Sequence, residues 1–232
     1  PLRRLGAYGA ISPNCMTHPL PSLQVHGLSF GYPHCAVFDN FHATLSPGLT
    51  LLRGDESCGK TTLLRLLASE LTPQAGRLVL AGLDARSDPD GYRARVFWAD
   101  PRSDALNDLT PRAWFTGLSQ QHGAWDAAAL QAHITGFLLQ PHLDKPLYAL
   151  SAGSRRKVLM AGALASGAPL TLIDEPVAGL DKPSVAYLAK ALAHHGTQPG
   201  RMVVVAHYEA LAGAPWDQVV DLPGRDAAAL PR

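Results

Sequence analysis

Residues 54–61 read Gly-Asp-Glu-Ser-Cys-Gly-Lys-Thr, and this segment constrains the chain more than any other. It fits the spacing G-x-x-x-x-G-K-[ST] without a gap. An apolar run at 49–53 precedes it and leucines four positions apart follow it, so the segment is predicted to join a strand to a helix. Glycines let the backbone wrap an anion with its N–H groups pointing inward, and the next helix N-terminus adds partial positive charge. The sequence therefore predicts a phosphate-binding loop.

The predicted loop gives its side chains distinct roles. Lys60 is expected to reach the β and γ phosphates of ATP, and the Thr61 hydroxyl is expected to ligate Mg²⁺. Cys58 stands where a small residue is usual, so its thiol is either reactive and protected by bound ATP or a small space-filler. The predicted nucleotide-binding residues of this segment are Gly54, Asp55, Glu56, Ser57, Cys58, Gly59, Lys60, Thr61 and Thr62. Taken alone, such a loop leaves kinases, GTPases and ATPases open.

Apolar runs and helical patterns alternate along the chain. The runs at 170–173 and 202–206 are apolar throughout, and helical spacing is found at 127–139 and 185–192. Fully apolar strands that alternate with helices imply a mostly parallel sheet covered on both faces. The predicted fold class is therefore α/β.

The composition narrows the functional classes. Lys+Arg is 20 and Asp+Glu is 19, for a net charge of +1, which is not the basic excess of a dedicated nucleic-acid binder. The 3 cysteines among 232 residues speak against a disulfide scaffold. No apolar window approaches the roughly 20 residues that cross a bilayer. Anion binding is therefore expected to be local, and a nucleic-acid partner is not expected.

The second half of the chain places carboxylates at the end of a buried strand. Residues 170–176 read LTLIDEP, in which Asp174 is placed to hold Mg²⁺ through water and Glu175 to polarise an attacking water. The other distinctive segments are LSAGS at 150–154, AGLD at 178–181 and VVVAHY at 203–208. Together with the phosphate loop, they occur in a fixed order.

This ordered set resembles the ATP-binding cassette (ABC) ATPases, and the resemblance covers residues 22–222. It implies a P-loop NTPase cassette with a mostly parallel central sheet, an antiparallel β subdomain and a helical subdomain inserted at about 101–165. Residues 1–21 would then be an irregular leader and residues 223–232 a loose tail.

The resemblance also implies a head-to-tail dimer that holds ATP and Mg²⁺ between two cassettes. The partner would be a second copy of the chain or a related cassette. The signature residues Ser151, Ala152 and Gly153 would bind the γ-phosphate held by that partner. His207 would contact the γ-phosphate and the catalytic water, so that the catalytic residues are Lys60, Glu175 and His207.

Two further assignments keep an alternative. Tyr32 falls where the family places an aromatic that stacks on adenine, but an aromatic on an alternating strand is as readily a core residue. Residues 155–157 read Arg-Arg-Lys and are interpreted as the exposed face of the signature helix. A contact between these cations and the γ-phosphate is the less favoured reading.

One segment departs from the family pattern. The family has a glutamine before the helical subdomain that ligates Mg²⁺ and senses the transport partner, whereas residues 96–102 read VFWADPR. Asp100 is the nearest oxygen donor and is predicted as a replacement metal ligand. Ser154 also replaces a glutamine in the signature, where a mild effect is expected.

The leading hypothesis is the nucleotide-binding subunit of a membrane transporter, peripheral on the cytoplasmic face of the inner membrane. Separate polytopic membrane subunits would dock on the helical insert near 101–149. A soluble ABC-type ATPase acting on nucleic acid or ribosomes, and a catalytically weak regulatory cassette, are the alternatives. The compact insert and the LSAGS signature are also similar to the haem-exporter ATPases of cytochrome c maturation, although the region around Asp100 differs. Neither the substrate nor the direction of transport follows from the sequence.

Overall fold

The computed structural model describes residues 22–224, whose strands form two sheets. In chain order the strands are β1 (Leu23–Tyr32), β2 (Cys35–Leu45), β3 (Gly48–Arg53), β4 (Ala75–Leu80), β5 (Leu83–Asp84), β6 (Val96–Trp98), β7 (Leu170–Asp174), β8 (Met202–His207) and β9 (Gln218–Asp221). The helices are α1 (Lys60–Leu67), α2 (Pro89–Arg93), α3 (Pro111–Gln121), α4 (Ala127–Gly136), α5 (Ala152–Ala165) and α6 (Lys182–Gly196). The predicted leader 1–21 and most of the predicted tail lie outside the described residues.

The central sheet is parallel, in the order β6-β7-β8-β3-β9. Strands β7 and β8 are buried along their whole length. Along β8, Met202 and Val204 face the core that includes α1, whereas Val203 and Val205 face the core that includes α5 and α6. This alternation explains why the run is apolar at every position: both faces of the strand are covered.

The second sheet is antiparallel, in the order β2-β1-β4-β5. Its strand β2 was not expected from the sequence. Three register shifts interrupt the pairing of β1 with β2, and most side chains of β2 are partly or fully exposed. The period-two signal is therefore weak in β2, although pairing with β1 satisfies its backbone.

A helical region made of α3, α4 and α5 lies between β6 and β7 in the chain. Each of its helices follows an N-cap residue whose side chain accepts the backbone N–H three positions later. The N-caps are Thr110 for α3, Asp126 for α4 and Ser151 for α5. Its core includes Trp114, Phe115 and Phe137. An α/β fold with a parallel sheet, an antiparallel sheet and an inserted helical region was predicted, and this architecture is confirmed.

Two predicted helices are shorter than their leucine spacing indicates. Helix α1 ends at Leu67, because Ser69 adopts a left-handed backbone conformation with φ 56°. Helix α4 ends at Gly136, close to Leu138, which has φ 56°. In both places the apolar spacing continues past the point where the backbone leaves the helix. Within residues 22–224, no helix is both long and apolar enough to cross a membrane.

Candidate nucleotide-binding site

The predicted phosphate loop joins β3 to α1, as the motif requires. Strand β3 lies between β8 and β9, so the loop leaves the sheet inside the parallel array. Ser57 (φ 62°) and Gly59 (φ 99°) both have left-handed backbone conformations, and Gly59 is the N-cap of α1. Left-handed residues that alternate with other conformations turn successive backbone N–H groups toward one concave surface beside the helix N-terminus. Such a surface suits a phosphate chain.

The loop forms one wall of a cleft with a volume of about 1170 Å³. Other walls come from the ends of β1 and β2, from Glu175, and from Tyr208 after β8. The sequence-predicted residues that line it are Tyr32, Asp55, Glu56, Ser57, Cys58, Gly59, Lys60, Thr61, Thr62 and Glu175. The structure therefore gathers distant segments of the chain around the loop.

Lys60 is only 7% exposed, and its ammonium group contacts oxygen atoms of the protein. Its Nζ donates to the carbonyl oxygens of Gly54 at 2.8 Å and Asp55 at 2.9 Å. The same atom lies 3.5 Å from Oε1 of Glu175. In this arrangement the lysine closes the loop on itself, and phosphate oxygens would compete with these carbonyls for its protons.

Thr61 and Asp174 form a pair of oxygen donors. The Thr61 hydroxyl donates to Oδ2 of Asp174 at 2.7 Å, while Oδ1 of Asp174 is buried without a hydrogen-bond partner. Burial raises the pKa of the Asp174 carboxyl, and the Thr61 hydrogen bond and the charge of Arg102 partly oppose that shift. A hydroxyl beside a buried carboxylate with an unused oxygen fits the donor set that Mg²⁺ prefers.

Glu175 and His207 stand together next to this pair. Glu175 has φ 43°, a strained value for a non-glycine residue, and its N–H donates to the carbonyl of Ala206 at 2.9 Å. Its Oε2 lies 3.7 Å from Nε2 of the buried His207. Nδ1 of His207 lies 2.8 Å from the carbonyl oxygen of Glu209. This bond fixes the ring with Nε2 directed at the carboxylate.

Tyr32 lies at the mouth of the cleft. It is 41% exposed, its ring packs edge-on against Phe30 with centroids 5.1 Å apart, and its hydroxyl is 3.4 Å from Oγ1 of Thr62. One ring face is thus left for a flat ligand, as adenine stacking would need. The stacking role stays a prediction.

Cys58 is 6% exposed and belongs to the apolar core around α1. A Cβ added to Gly54 would come 2.4 Å from its Sγ, so the thiol fills the space that the missing side chain of Gly54 leaves. The residue also lines the cleft, and both readings of its thiol therefore stay open.

The signature residues lie away from this cleft. Ser151 and Ala152 are exposed, and Gly153 packs against the 178–181 segment, where a Cβ on Gly153 would come 2.1 Å from the carbonyl oxygen of Gly179. None of the three is among the residues that line the cleft. The signature residues are thus separate from the phosphate loop of their own chain.

Asp100 is also outside the cleft. Its Oδ1 accepts the backbone N–H of Arg102 at 2.8 Å, and the residue lines a neighbouring hollow with Trp98, Leu106 and Trp114. The Asp100 carboxylate is near enough to add, after burial, to the raised pKa of Asp174, but among residues 22–224 no hydrogen bond joins it to Thr61 or Asp174. Its predicted role as a metal ligand stays a prediction without a contact to support it.

Two arginines line the cleft that sequence reasoning did not assign to it. Nη1 of Arg102 donates to Thr61 Oγ1 at 3.2 Å and lies 3.7 Å from Oδ2 of Asp174. Arg156 donates to the carbonyl of Ala178 at 2.7 Å, and burial lowers its pKa. Arg156 is half-buried rather than on an exposed helix face, so that interpretation of residues 155–157 is wrong at this position. No local spacing in the sequence signalled either contact, because the partners Thr61 and Ala178 lie 41 and 22 positions away.

Comparison with known proteins agrees with this geometry. Residues 38–178 match the family model described as ABC transporter. The chain belongs to this family, whose ATP-binding cassettes are ATPases, and the predicted family is confirmed.

Two relatives are both named "Cytochrome c biogenesis ATP-binding export protein CcmA". The one from Pseudomonas syringae pv. syringae (strain B728a) is 33% identical over 192 residues, which are 81% of this chain and 89% of the relative. The one from Rhodospirillum rubrum is 33% identical over 202 residues, covering 84% and 79%.

A solved structure titled "Structure of ATP binding subunit of ABC transporter" has a TM-score of 0.75 at 22% identity. The match covers 86% of this chain and 85% of that chain. At this identity the likeness bears on the fold alone.

Proposed function

We propose that this chain is the ATP-binding and ATP-hydrolysing subunit of a membrane exporter that serves cytochrome c biogenesis. The observation that carries the proposal is the grouping of Lys60, Thr61, Asp174, Glu175 and His207 around one cleft. The names of the relatives at 33% identity add the export process. The resemblance to haem-exporter ATPases noted from the sequence points the same way.

In the proposed reaction, Glu175 orients a water toward the γ-phosphorus. The water oxygen bonds to that phosphorus, the bond to the β–γ bridging oxygen breaks, and the water proton passes to Glu175; the products are ADP and phosphate. Lys60 moves from its loop carbonyls to the phosphates, which frees the Glu175 carboxylate from its 3.5 Å contact. Bound at Thr61 and Asp174, Mg²⁺ would supply charge stabilisation at the β and γ oxygens.

The exposed position of Ser151 and Ala152 supports the dimer part of the proposal. These residues begin α5, where backbone N–H groups and the helix dipole attract an anion. Because they do not line the cleft of their own chain, the γ-phosphate they would bind belongs to a second cassette. This geometry supports head-to-tail pairing around ATP.

Membrane subunits are proposed to dock at the hollow beside β6. Its walls include Trp98, Asp100, Leu106, Trp114 and Leu118, and Nε1 of Trp98 is buried without a hydrogen-bond partner. The hollow is also lined by Glu70, Arg93 and Gln121, so an amphipathic helix or loop of a membrane subunit would fit it. The loop to Arg102 connects this hollow to the cleft. A cassette docked on membrane subunits in this way would lie on the cytoplasmic face of the inner membrane.

The catalytic proposal is tested by phosphate release from the purified chain with MgATP. We expect steady turnover in the wild type and about a hundredfold less in Glu175→Gln, which keeps its size but loses the proton acceptor. Glu70→Gln is the matched control, since Glu70 is 41% exposed and pairs with Arg65 away from the cleft. Background release from wild type and Glu175→Gln alike, at concentrations that permit dimerisation, would support the weak regulatory cassette instead.

The transporter proposal is tested by co-purification of the tagged chain from detergent-extracted membranes. We expect a polytopic membrane protein to accompany the wild type and to be lost in Trp98→Ala. Gln120→Ala, an exposed change on α3, is the control. Enrichment with ribosomes or DNA and none with membranes would contradict the proposal.

A further inference from the structure

The loop after β6 sends a positive charge into the candidate magnesium site. The Arg102 guanidinium contacts both Thr61 Oγ1 (3.2 Å) and Asp174 Oδ2 (3.7 Å). The Asp174 side chain has no exposed surface and its Oδ1 has no hydrogen-bond partner. A side-chain cation therefore contacts the same buried carboxylate that a metal ion would use.

Asp100 sets the path of that loop. It accepts the N–H of Arg102 through its carboxylate at 2.8 Å, and the N–H of Ser103 through its carbonyl at 3.1 Å. These bonds form a turn of the kind that aspartate favours, directly before the arginine side chain leaves toward Thr61. The carboxylate that replaces the expected glutamine is thus a positioning group for Arg102.

The other cations of the cleft have different hydrogen-bond partners, although the charge of Asp174 also acts on Arg156, partly offsetting the lowering of its pKa by burial. Lys60 is held by loop carbonyls and Glu175, and Arg156 donates to the carbonyl of Ala178. The ion pair recorded for Asp174 among the described residues is the one with Arg102. The Arg102 side chain is 63% exposed, so it can swing toward a phosphate or away from a metal with little loss of burial.

We propose that Arg102 is a nucleotide-binding residue that supplies a protein cation at the Thr61–Asp174 pair, so that the chain binds ATP with little dependence on Mg²⁺. Without metal, the guanidinium offsets the charge that Asp174 presents to the γ-phosphate. With metal, the guanidinium has to leave Thr61 and Asp174, which weakens the gain from Mg²⁺. Both effects bring the affinity for ATP without Mg²⁺ closer to the affinity for ATP with Mg²⁺. The inference rests on the proposed magnesium site.

The test is the Kd of trinitrophenyl-ATP, measured by fluorescence with excess EDTA and with Mg²⁺. We divide the Kd measured with EDTA by the Kd measured with Mg²⁺. This ratio is expected to be about tenfold larger in Arg102→Ala than in the wild type, and the ratio in Arg102→Lys is expected to stay near the wild-type value. Arg77→Ala is the matched control, because Arg77 is 67% exposed, pairs with Asp84 and does not line the cleft. An unchanged ratio in Arg102→Ala would overturn the inference.

The positioning role of Asp100 is read from the same ratio. Asp100→Asn keeps an oxygen for the Arg102 N–H and should behave as the wild type, whereas Asp100→Ala should approach Arg102→Ala. If Asp100→Asn raises the ratio as much as Asp100→Ala does, the carboxylate acts by its charge and the positioning role is wrong.

Thr61→Ala separates this inference from the magnesium site on which it rests. If Thr61→Ala abolishes the effect of Mg²⁺ while Arg102→Ala equals the wild type, the magnesium site stands and the arginine inference fails. If neither Thr61→Ala nor Asp174→Asn changes the effect of Mg²⁺, the proposed magnesium site itself fails.

Discussion

Gly153 lies where two backbones approach most closely in the signature region. The position is buried at the start of α5, and a Cβ there would come 2.1 Å from the carbonyl oxygen of Gly179. A carbonyl cannot yield as a flexible side chain can, so the segment would have to shift. The glycine thus couples the signature to the 178–181 segment as well as leaving room for a phosphate.

A pair of glycine substitutions tests this reading. We expect Gly153→Ala to lower the free energy of unfolding by about 1–3 kcal/mol, as overpacking does. Gly117 on α3 has nothing within 4 Å of an added Cβ, and Gly117→Ala should raise stability by up to about 1 kcal/mol through helix propensity. Urea denaturation measures both. Equal effects of the two substitutions would show that the close contact has no energetic weight.

Helices α4 and α6 pack through a cluster of rings. A Cβ on Gly136 would come 2.0 Å from the Tyr187 ring, and the Tyr187 hydroxyl donates to the carbonyl of Ala132 at 3.0 Å. His133 and His195 lie in the same contact, with ring centroids 5.7 Å apart. Burial lowers the pKa of each to about 4, and Arg201 adds to that shift. Both imidazoles are therefore neutral in the folded protein near neutral pH.

This cluster predicts a loss of stability in mild acid. Between about pH 6.5 and pH 4 the unfolded chain binds protons on His133 and His195 that the folded chain does not. The free energy of unfolding therefore falls as pH decreases through this range, by up to about 1.4 kcal/mol per pH unit for each histidine. His195→Gln should make the fall less steep, whereas His26→Gln, at an exposed position, should not. Urea denaturation across the range decides; equal slopes in all three proteins would contradict it.

At the scale of the whole molecule, the two segments proposed to bind phosphate lie apart from each other. One is the loop between β3 and α1, and the other is the N-terminus of α5. The cleft that contains the loop lacks the signature residues among those that line it. This separation supports the proposal that a second cassette completes the site and that ATP joins the two.

Substitutions at two matched helix starts test this assembly in the Glu175→Gln background, where ATP persists. Ala152 and Ala127 are both exposed first residues of their helices, α5 and α4. We expect MgATP to shift the parent to the dimer mass in size-exclusion chromatography with light scattering. Ala152→Arg should stay monomeric and Ala127→Arg should dimerise. Dimerisation of both variants would show that the α5 N-terminus is not at the interface.

The sequence by itself predicted the phosphate loop, the carboxylates at the end of β7, the parallel sheet and the family. These signals are local: glycine spacing in residues 54–61 and unbroken apolar runs such as 202–206 follow from short-range backbone and burial requirements.

Only the tertiary structure shows which groups Asp100, Arg102 and Arg156 contact. Sequence proximity favoured Asp100 as a metal ligand, but its carboxylate is used by the turn before Arg102, and the arginine reaches Thr61 instead. Arg156 was taken as an exposed cation, yet it lines the cleft beside Ala178. Where a long side chain ends depends on groups 22 to 41 positions away in the chain, and no local spacing encodes those distances.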